Sequence, residues 1–186
     1  MSGHNKWSQI KVKKGKTDAK RSQVFSKYAK LISNEARAAK GNKDAPMLRM
    51  AIERARKENM PNDNIERAIK KATEGGGAAL ENILYEGYGP GGVALLIEVL
   101  TDSRNRSAGE IKHLLAENGG NLASPGAAAW AFTKEPTTDN LQLTTGSGWR
   151  ATTTVPLEDA DLEKLDKLVE ALEANEDVQE VITNAE

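Results

Sequence analysis

NDNIERAIKKATEGGGAALENILYEGYGPGGVALLIEVL, residues 62–100, changes its apolar period halfway along. Before the three glycines, Ile65, Ala68, Ile69 and Ala72 recur at three-and-four spacing, one stripe of a helix, with Arg67, Lys70 and Lys71 facing outward. After them, Asn82 to Tyr88 alternates as a half-buried strand does. Val93 to Leu100 reads as a more apolar strand, joined to the first through Gly89, Pro90, Gly91 and Gly92. A helical period on one side of a glycine hinge and a strand period on the other predicts an α+β fold. Gly87, Gly89 and Gly92 satisfy GxGxxG, but a dinucleotide loop must open a helix that holds the pyrophosphate. Here a strand follows, so the stretch reads as a tight hairpin.

Upstream, a helix beginning near Thr17 or Asp18 places Phe25, Tyr28, Ala29, Ile32, Ala36 and Ala39 on one stripe and stops at Gly41 and Asn42. A second follows Asp44, with Pro46 in its first turn and Leu48, Ala51, Ile52 and Ala55 inward. Three short alanine-rich helices suit a small bundle. Downstream, Ser107 and Glu110 spell a capping box that opens a helix with Ile111, Leu114 and Leu115 inward, ended by Gly119. Ala127 to Phe132 is expected as a strand with Trp130 as filler. A hairpin is expected from Leu141–Thr144 and Trp149–Val155, then a helix capped by Asp159 or Asp161 carrying Leu162, Leu165, Leu168, Val169 and Leu172, and a closing strand over Asp177–Thr183. The expected organisation is a basic tail plus three-helix module over 1–74, a glycine hinge over 75–81, and a ferredoxin-like α+β domain over 82–186 with an antiparallel or mixed sheet.

Charge divides the chain as sharply as periodicity does. Residues 1–74 hold nineteen Lys/Arg against eight Asp/Glu, and the remainder holds seven against nineteen, so a net charge of -1 conceals halves of +11 and -12. Such asymmetry argues for different tasks, with the basic half meeting an anion. The longest apolar run, Val93 to Ile97, is far shorter than the roughly 20 residues of a membrane span. No apolar segment follows the N-terminal charge as in a secretory leader, and there is no cysteine. Together these features lead to the expectation of a cytoplasmic protein that has no membrane partner and works as a monomer.

The steepest charge lies in MSGHNKWSQIKVKKGKTDAKR, residues 1–21, where Lys6, Lys11, Lys13, Lys14, Lys16, Lys20 and Arg21 face one acid, Asp18. Lysines spaced this way can each meet a phosphate and release a counterion, while His4 and Trp7 offer surfaces on which an unpaired base can stack. A solvated tail is the plainer alternative. Arg104 and Arg106, ahead of the Ser107 cap, suggest a second anion contact, with pairing to Asp102, Glu98 or Glu110 as the competing reading. Catalysis finds little to work with: the two histidines are His4 and His113, and there is no thiol. Glu173, Glu176 and Asp177 could meet a divalent cation, but a solvated acidic face is the preferred reading. No enzyme, cofactor or metal is expected.

Five blocks together resemble the YebC/PmpR family: SGHNKWSQIKVKKGKTDAKRSQVFSK (2–27), ENMPNDNIERAIKKAT (58–73), YEGYGPGGVALLIEVLTDSRNRSAGEIKH (85–113), GGNLASPGAAAWAF (119–132) and LEANEDVQEVITN (172–184). The resemblance implies a role in gene expression. Members are labelled probable DNA-binding transcriptional regulators, and one is a mitochondrial translational activator of a cytochrome oxidase subunit. It also implies that residues 133–150 stand where typical members carry a further α/β domain. The reading is a nucleic-acid-binding regulator of the DNA-binding transcriptional type, through His4, Lys6, Trp7, Lys11, Lys13, Lys14, Lys16, Lys20, Arg21, Arg104 and Arg106. Its alternatives are a translation factor on the ribosome, ribosomal RNA or tRNA, and a protein-interaction module.

Overall fold

Alanine at every third or fourth position leaves a helix face shallow enough for close approach, and three such helices open the computed structural model, which describes residues 18–75, 78–134 and 148–186. They are α1 (Asp18–Ala38), α2 (Pro46–Lys57) and α3 (Asn62–Thr73). The inward stripes are those the spacing predicts: Leu48, Ala51, Ile52 and Ala55 on α2, and Ile65, Ala68, Ile69 and Ala72 on α3. Ile32 and Ala36 are the buried positions of α1, with Phe25, Tyr28 and Ala29 packed beside them. Ser33 Oγ ties α1 to α3 by donating to the Ala68 carbonyl at 2.9 Å. Gly41 ends the first helix with φ +79°, its N–H donating to the Ala36 carbonyl, and a Cβ there would lie 2.9 Å from Thr73 Cγ2. Both the left-handed backbone and the close approach require glycine.

The α+β unit comprises β1 (Glu81–Tyr88), β2 (Ala94–Thr101), α4 (Arg104–Glu117), β3 (Asn121–Ala123), β4 (Phe132–Lys134), β5 (Trp149–Ala151), α5 (Asp159–Ala174) and β6 (Val178–Thr183). Its main sheet has the order β3-β1-β2-β6, with β3 antiparallel to β1 and β6 antiparallel to β2. Leu95, Ile97 and Val99 of β2 pack on Ile111 and Leu115 of α4 and on Leu165, Leu168 and Leu172 of α5. Ala94 and Leu96 face the other way, onto Ala128, Ala131 and Phe132. A strand covered on both faces reads as a run of apolar residues, which is why Val93 to Ile97 lacks alternation and only the half-buried Glu98 breaks the pattern before Leu100. By packing, residues 100–103 group with the helical unit and the rest of the described chain from 82 onward forms the second.

The segment between α4 and α5 departs from expectation. Of the strand expected over Ala127–Phe132 only Phe132 belongs to one, and Ala129–Ala131 is a 3-10 turn with Trp130 62% exposed rather than used as filler. The cause is Glu86 of β1, 6% exposed, whose carboxylate accepts the N–H groups of Gly126 at 2.6 Å, Ala128 at 2.7 Å and Ala129 at 2.8 Å. Those amides cannot also serve a strand ladder. Burial by itself raises the Glu86 pKa, yet the three donors outweigh it and hold the carboxyl below its ordinary value. Tyr88 Oη also bonds the Ala127 carbonyl.

Leu141–Thr144, one half of the expected hairpin, lies outside the described residues. Of the other half, expected over Trp149–Val155, Trp149–Ala151 is a strand and pairs antiparallel with Phe132–Lys134. Trp149 Nε1 donates to Glu98 at 3.0 Å, and Lys134 Nζ sits 5.3 Å from the ring centroid. The strand ends before Val155, which instead bridges Ala185. Strand β3, three residues between Gly120 and Ser124, was too short for the periodicity to reveal. Glu158 rather than Asp159 or Asp161 occupies the cap of α5, whose five expected core residues are all buried. Of the GxGxxG glycines, Gly87 serves packing, since a Cβ there would lie 2.8 Å from the Asn121 carbonyl oxygen, while Gly92 has φ +78° with open space around it; Gly91, between them, lies where a Cβ would strike Leu157.

Candidate nucleic-acid interface

Helix α1 lies against both α2 and α3, and its contact with α3 leaves a groove of about 800 Å³ within the helical unit. Residues at three-and-four spacing along α1, among them Ser22, Phe25, Ala29, Ser33 and Arg37, form one wall. Asn64, Arg67, Ala68 and Lys71 of α3 form the other, with Met60 before it. Five cations line the space, Arg21, Lys30 and Arg37 from α1 and Arg67 and Lys71 from α3, and Asp102 is the one acid among the lining residues. Arg21, Arg67 and Lys71 are exposed, while Lys30 and Arg37 are half-buried. Arg37 donates to the Ala78 carbonyl, so its guanidinium is directed along the groove toward the segment that follows α3.

Small side chains make this arrangement possible. Ala29, Ser33 and Ala68 let the helix backbones approach, and the long cationic stems then rise from the walls and keep their charged heads near water. A concavity with positive walls and little acid focuses field lines and concentrates anions. Phe25, Met60 and Leu80 supply apolar surface in the same space. The chemistry offered is electrostatic and apolar contact for a polyanion bearing flat rings. Among the described residues there is no cluster of three or more His, Asp or Glu able to hold a metal ion.

Of the residues singled out from the sequence, His4, Lys6, Trp7, Lys11, Lys13, Lys14 and Lys16 lie outside the described residues. Lys20 and Arg21 occupy the first turn of α1, and Arg21 reaches the groove. Arg104 and Arg106 fall in the other unit. They are not on a loop before a Ser107 cap: α4 begins at Arg104, and Ser107 is buried one turn in, donating to the Arg104 carbonyl and 3.1 Å from Tyr85 Oη. Thr101 Oγ1 closes the preceding turn by accepting the Ser103 N–H at 3.0 Å, which lets the helix start early. The Arg106 guanidinium lies 2.9 Å from Asp177, a 6% exposed carboxylate, and 3.9 Å from Glu110. Asp177 is thereby a buried ion-pair partner, not part of a solvated acidic face. His113 is exposed on α4, 3.3 Å from Glu117.

The sequence reading did not include Lys30, Arg37, Arg67 and Lys71 among the site residues. A signal existed, since Arg67 and Lys71 are one helical turn apart and Lys30 and Arg37 two, but nothing local tells that the two pairs face each other.

Residues 5–75 match the family described as the TACO1/YebC protein N-terminal domain, and residues 80–139 and 137–185 match that of the TACO1/YebC second and third domain. A probable transcriptional regulatory protein of Pelotomaculum thermopropionicum is 41% identical over 240 aligned residues, covering 100% of this chain and 99% of that protein. One from Halothermothrix orenii is 46% identical over 185 residues, 98% of this chain and 66% of its own length. One from Syntrophobacter fumaroxidans is 56% identical over 137 residues, 73% and 55% respectively. The matched stretch thus spans less than two thirds of the length of the latter two. The crystal structure of a conserved hypothetical protein from Aquifex aeolicus matches with a TM-score of 0.78 at 33% identity, over 97% of this chain and 96% of that one.

Proposed function

The chain belongs to the TACO1/YebC family, and from that premise we propose that it is a non-enzymatic, cytoplasmic regulator of gene expression that binds nucleic acid through its basic helical unit. The observation that carries the reading is the α1–α3 groove, where five cations and a single acid surround apolar surface in a chain whose net charge is only -1. Relatives named probable transcriptional regulatory proteins support a role in transcription, and DNA is the partner proposed for that role. Further phosphate contacts are proposed for the lysines of residues 6–20 and, separately, for Arg104 of the α+β unit.

One feature favours RNA, on the ribosome or in tRNA, as the second reading. The cations line a concavity, whereas sequence-reading of duplex DNA calls for a helix that projects into the major groove.

Binding of the full chain to labelled DNA and RNA across a salt series tests the proposal. Log affinity is expected to fall linearly with log salt, by about 0.9 per phosphate contact on duplex DNA and about 0.7 on a single strand. A flat response, or no binding in dilute buffer, would overturn it.

A further inference from the structure

We infer that the α1–α3 groove takes an unpaired stretch of polynucleotide, with phosphates against Arg67 and Lys71 on one wall and Lys30 and Arg37 on the other, and a base lying against Phe25. The inference rests on the proposed nucleic-acid function and narrows it to one form of the ligand.

Three properties of the site select a single strand. The first is shape. The groove follows the seam of two packed helices, whose axes are typically about 8–10 Å apart, and is open to solvent along its length. A duplex is engaged by elements that protrude into its grooves, so a seam between helices can meet only its outermost phosphates. A lone strand can enter.

The second is the distribution of charge. Cations stand on both walls, so a chain running along the groove is flanked by positive groups on either side. Arg67 and Lys71 are one turn apart on α3, a rise of about 6 Å, comparable to the separation of successive phosphates along an extended strand. Lys30 and Arg37, two turns apart, span a longer reach along the opposite wall.

The third is the apolar lining. Phe25, Ala29 and Leu80 line the groove with carbon surface, joined by the almost fully buried Met60 and Ala68. Phosphates alone have no use for such a surface, but unpaired bases do. A base stacked on an aromatic ring contributes about 1–3 kcal/mol. Ser22, Ser26 and Asn64, at the same groove, add hydroxyl and amide groups within the reach of sugars and base edges. A cationic groove with an aromatic platform is the general solution for holding single strands with little sequence preference.

The test uses the full chain and four probes: a single-stranded DNA, the RNA of the same sequence, and the duplex of each. Wild type is compared with the double variant Arg67→Glu, Lys71→Glu, whose substitutions lie at exposed positions of α3 and leave the helical core intact, as an unchanged melting curve would verify. Expected are tighter binding of the single strands than of the duplexes at equal salt, and a loss on the order of tenfold or more for the variant on single strands, with the salt slope reduced by about 0.7 for each lost contact. Strands carrying 5-iodouracil should crosslink, on irradiation, to the peptide containing Phe25. Preference for DNA or RNA within the single-stranded pair identifies the source of the strand, and either preference upholds the inference. Equal or tighter binding of duplex, with the double variant unaffected, would overturn the inference while leaving the nucleic-acid function standing. Failure to bind any of the four would overturn both.

Discussion

The Glu86 carboxylate accepts the backbone N–H of Ala128 at 2.7 Å, in a place where Glu86 is 6% exposed and Ala128 is fully buried. With the amides of Gly126 and Ala129 on the same carboxylate, one side chain from β1 fixes a loop about forty residues away and leaves Trp130 on the outside. An unsatisfied buried amide is costly, so the charge of Glu86 and the shape of the loop depend on each other.

Glu86→Gln tests that dependence. The amide keeps one acceptor oxygen but turns an NH2 group toward backbone donors, and the expected loss of stability is roughly 2–3 kcal/mol. Chemical denaturation followed by circular dichroism measures it. Trp130 fluorescence should change as the loop loosens.

The same carboxylate sets a pH dependence. Its folded pKa is lowered, so its contribution is fully present above about 4.3, the value of an unfolded glutamate, and is lost as pH falls through the lower folded value. Stability measured from pH 6 down to 3 should fall in wild type. In Glu86→Gln the part of the fall due to this group should be missing.

Arg106→Ala is expected to weaken the α+β unit by roughly 1–3 kcal/mol, because it removes the guanidinium 2.9 Å from the buried Asp177 carboxylate. Thermal denaturation reads the loss. Lys substituted at the same position should recover part of it, since an ammonium can supply charge but not the fork of donors.

Gly41→Val should destabilise the helical unit by about 1–3 kcal/mol, through positive φ and through contact with Thr73. Gly75→Val, also at positive φ but with open space around it, is expected to cost less. Denaturation midpoints of the two variants decide the order.

Helix stripes were legible because they need only local spacing: every inward residue expected for α2, α3 and α5 is buried. Boundaries set by hydrogen bonds from distant residues were not. Ser107 carries the signature of a cap, yet Thr101 closes the turn before it and Tyr85 draws its hydroxyl inward. The loop at Ala127–Ala131 has strand-like composition, but its amides belong to Glu86, and backbone donors leave no trace in a sequence. The groove was half legible. Arg67 and Lys71 plainly face outward from α3, but Lys30 and Arg37 join them only because α1 packs along α3, a tertiary fact that spacing within either helix cannot express.

The most direct measurement is the salt dependence of single-strand binding by the full chain, for wild type beside Arg67→Glu, Lys71→Glu. A steep wild-type slope, made shallower by about 1.4 in the variant with affinity lost in parallel, is the expected result. Identical slopes and affinities for the two proteins would contradict a groove that grips phosphate.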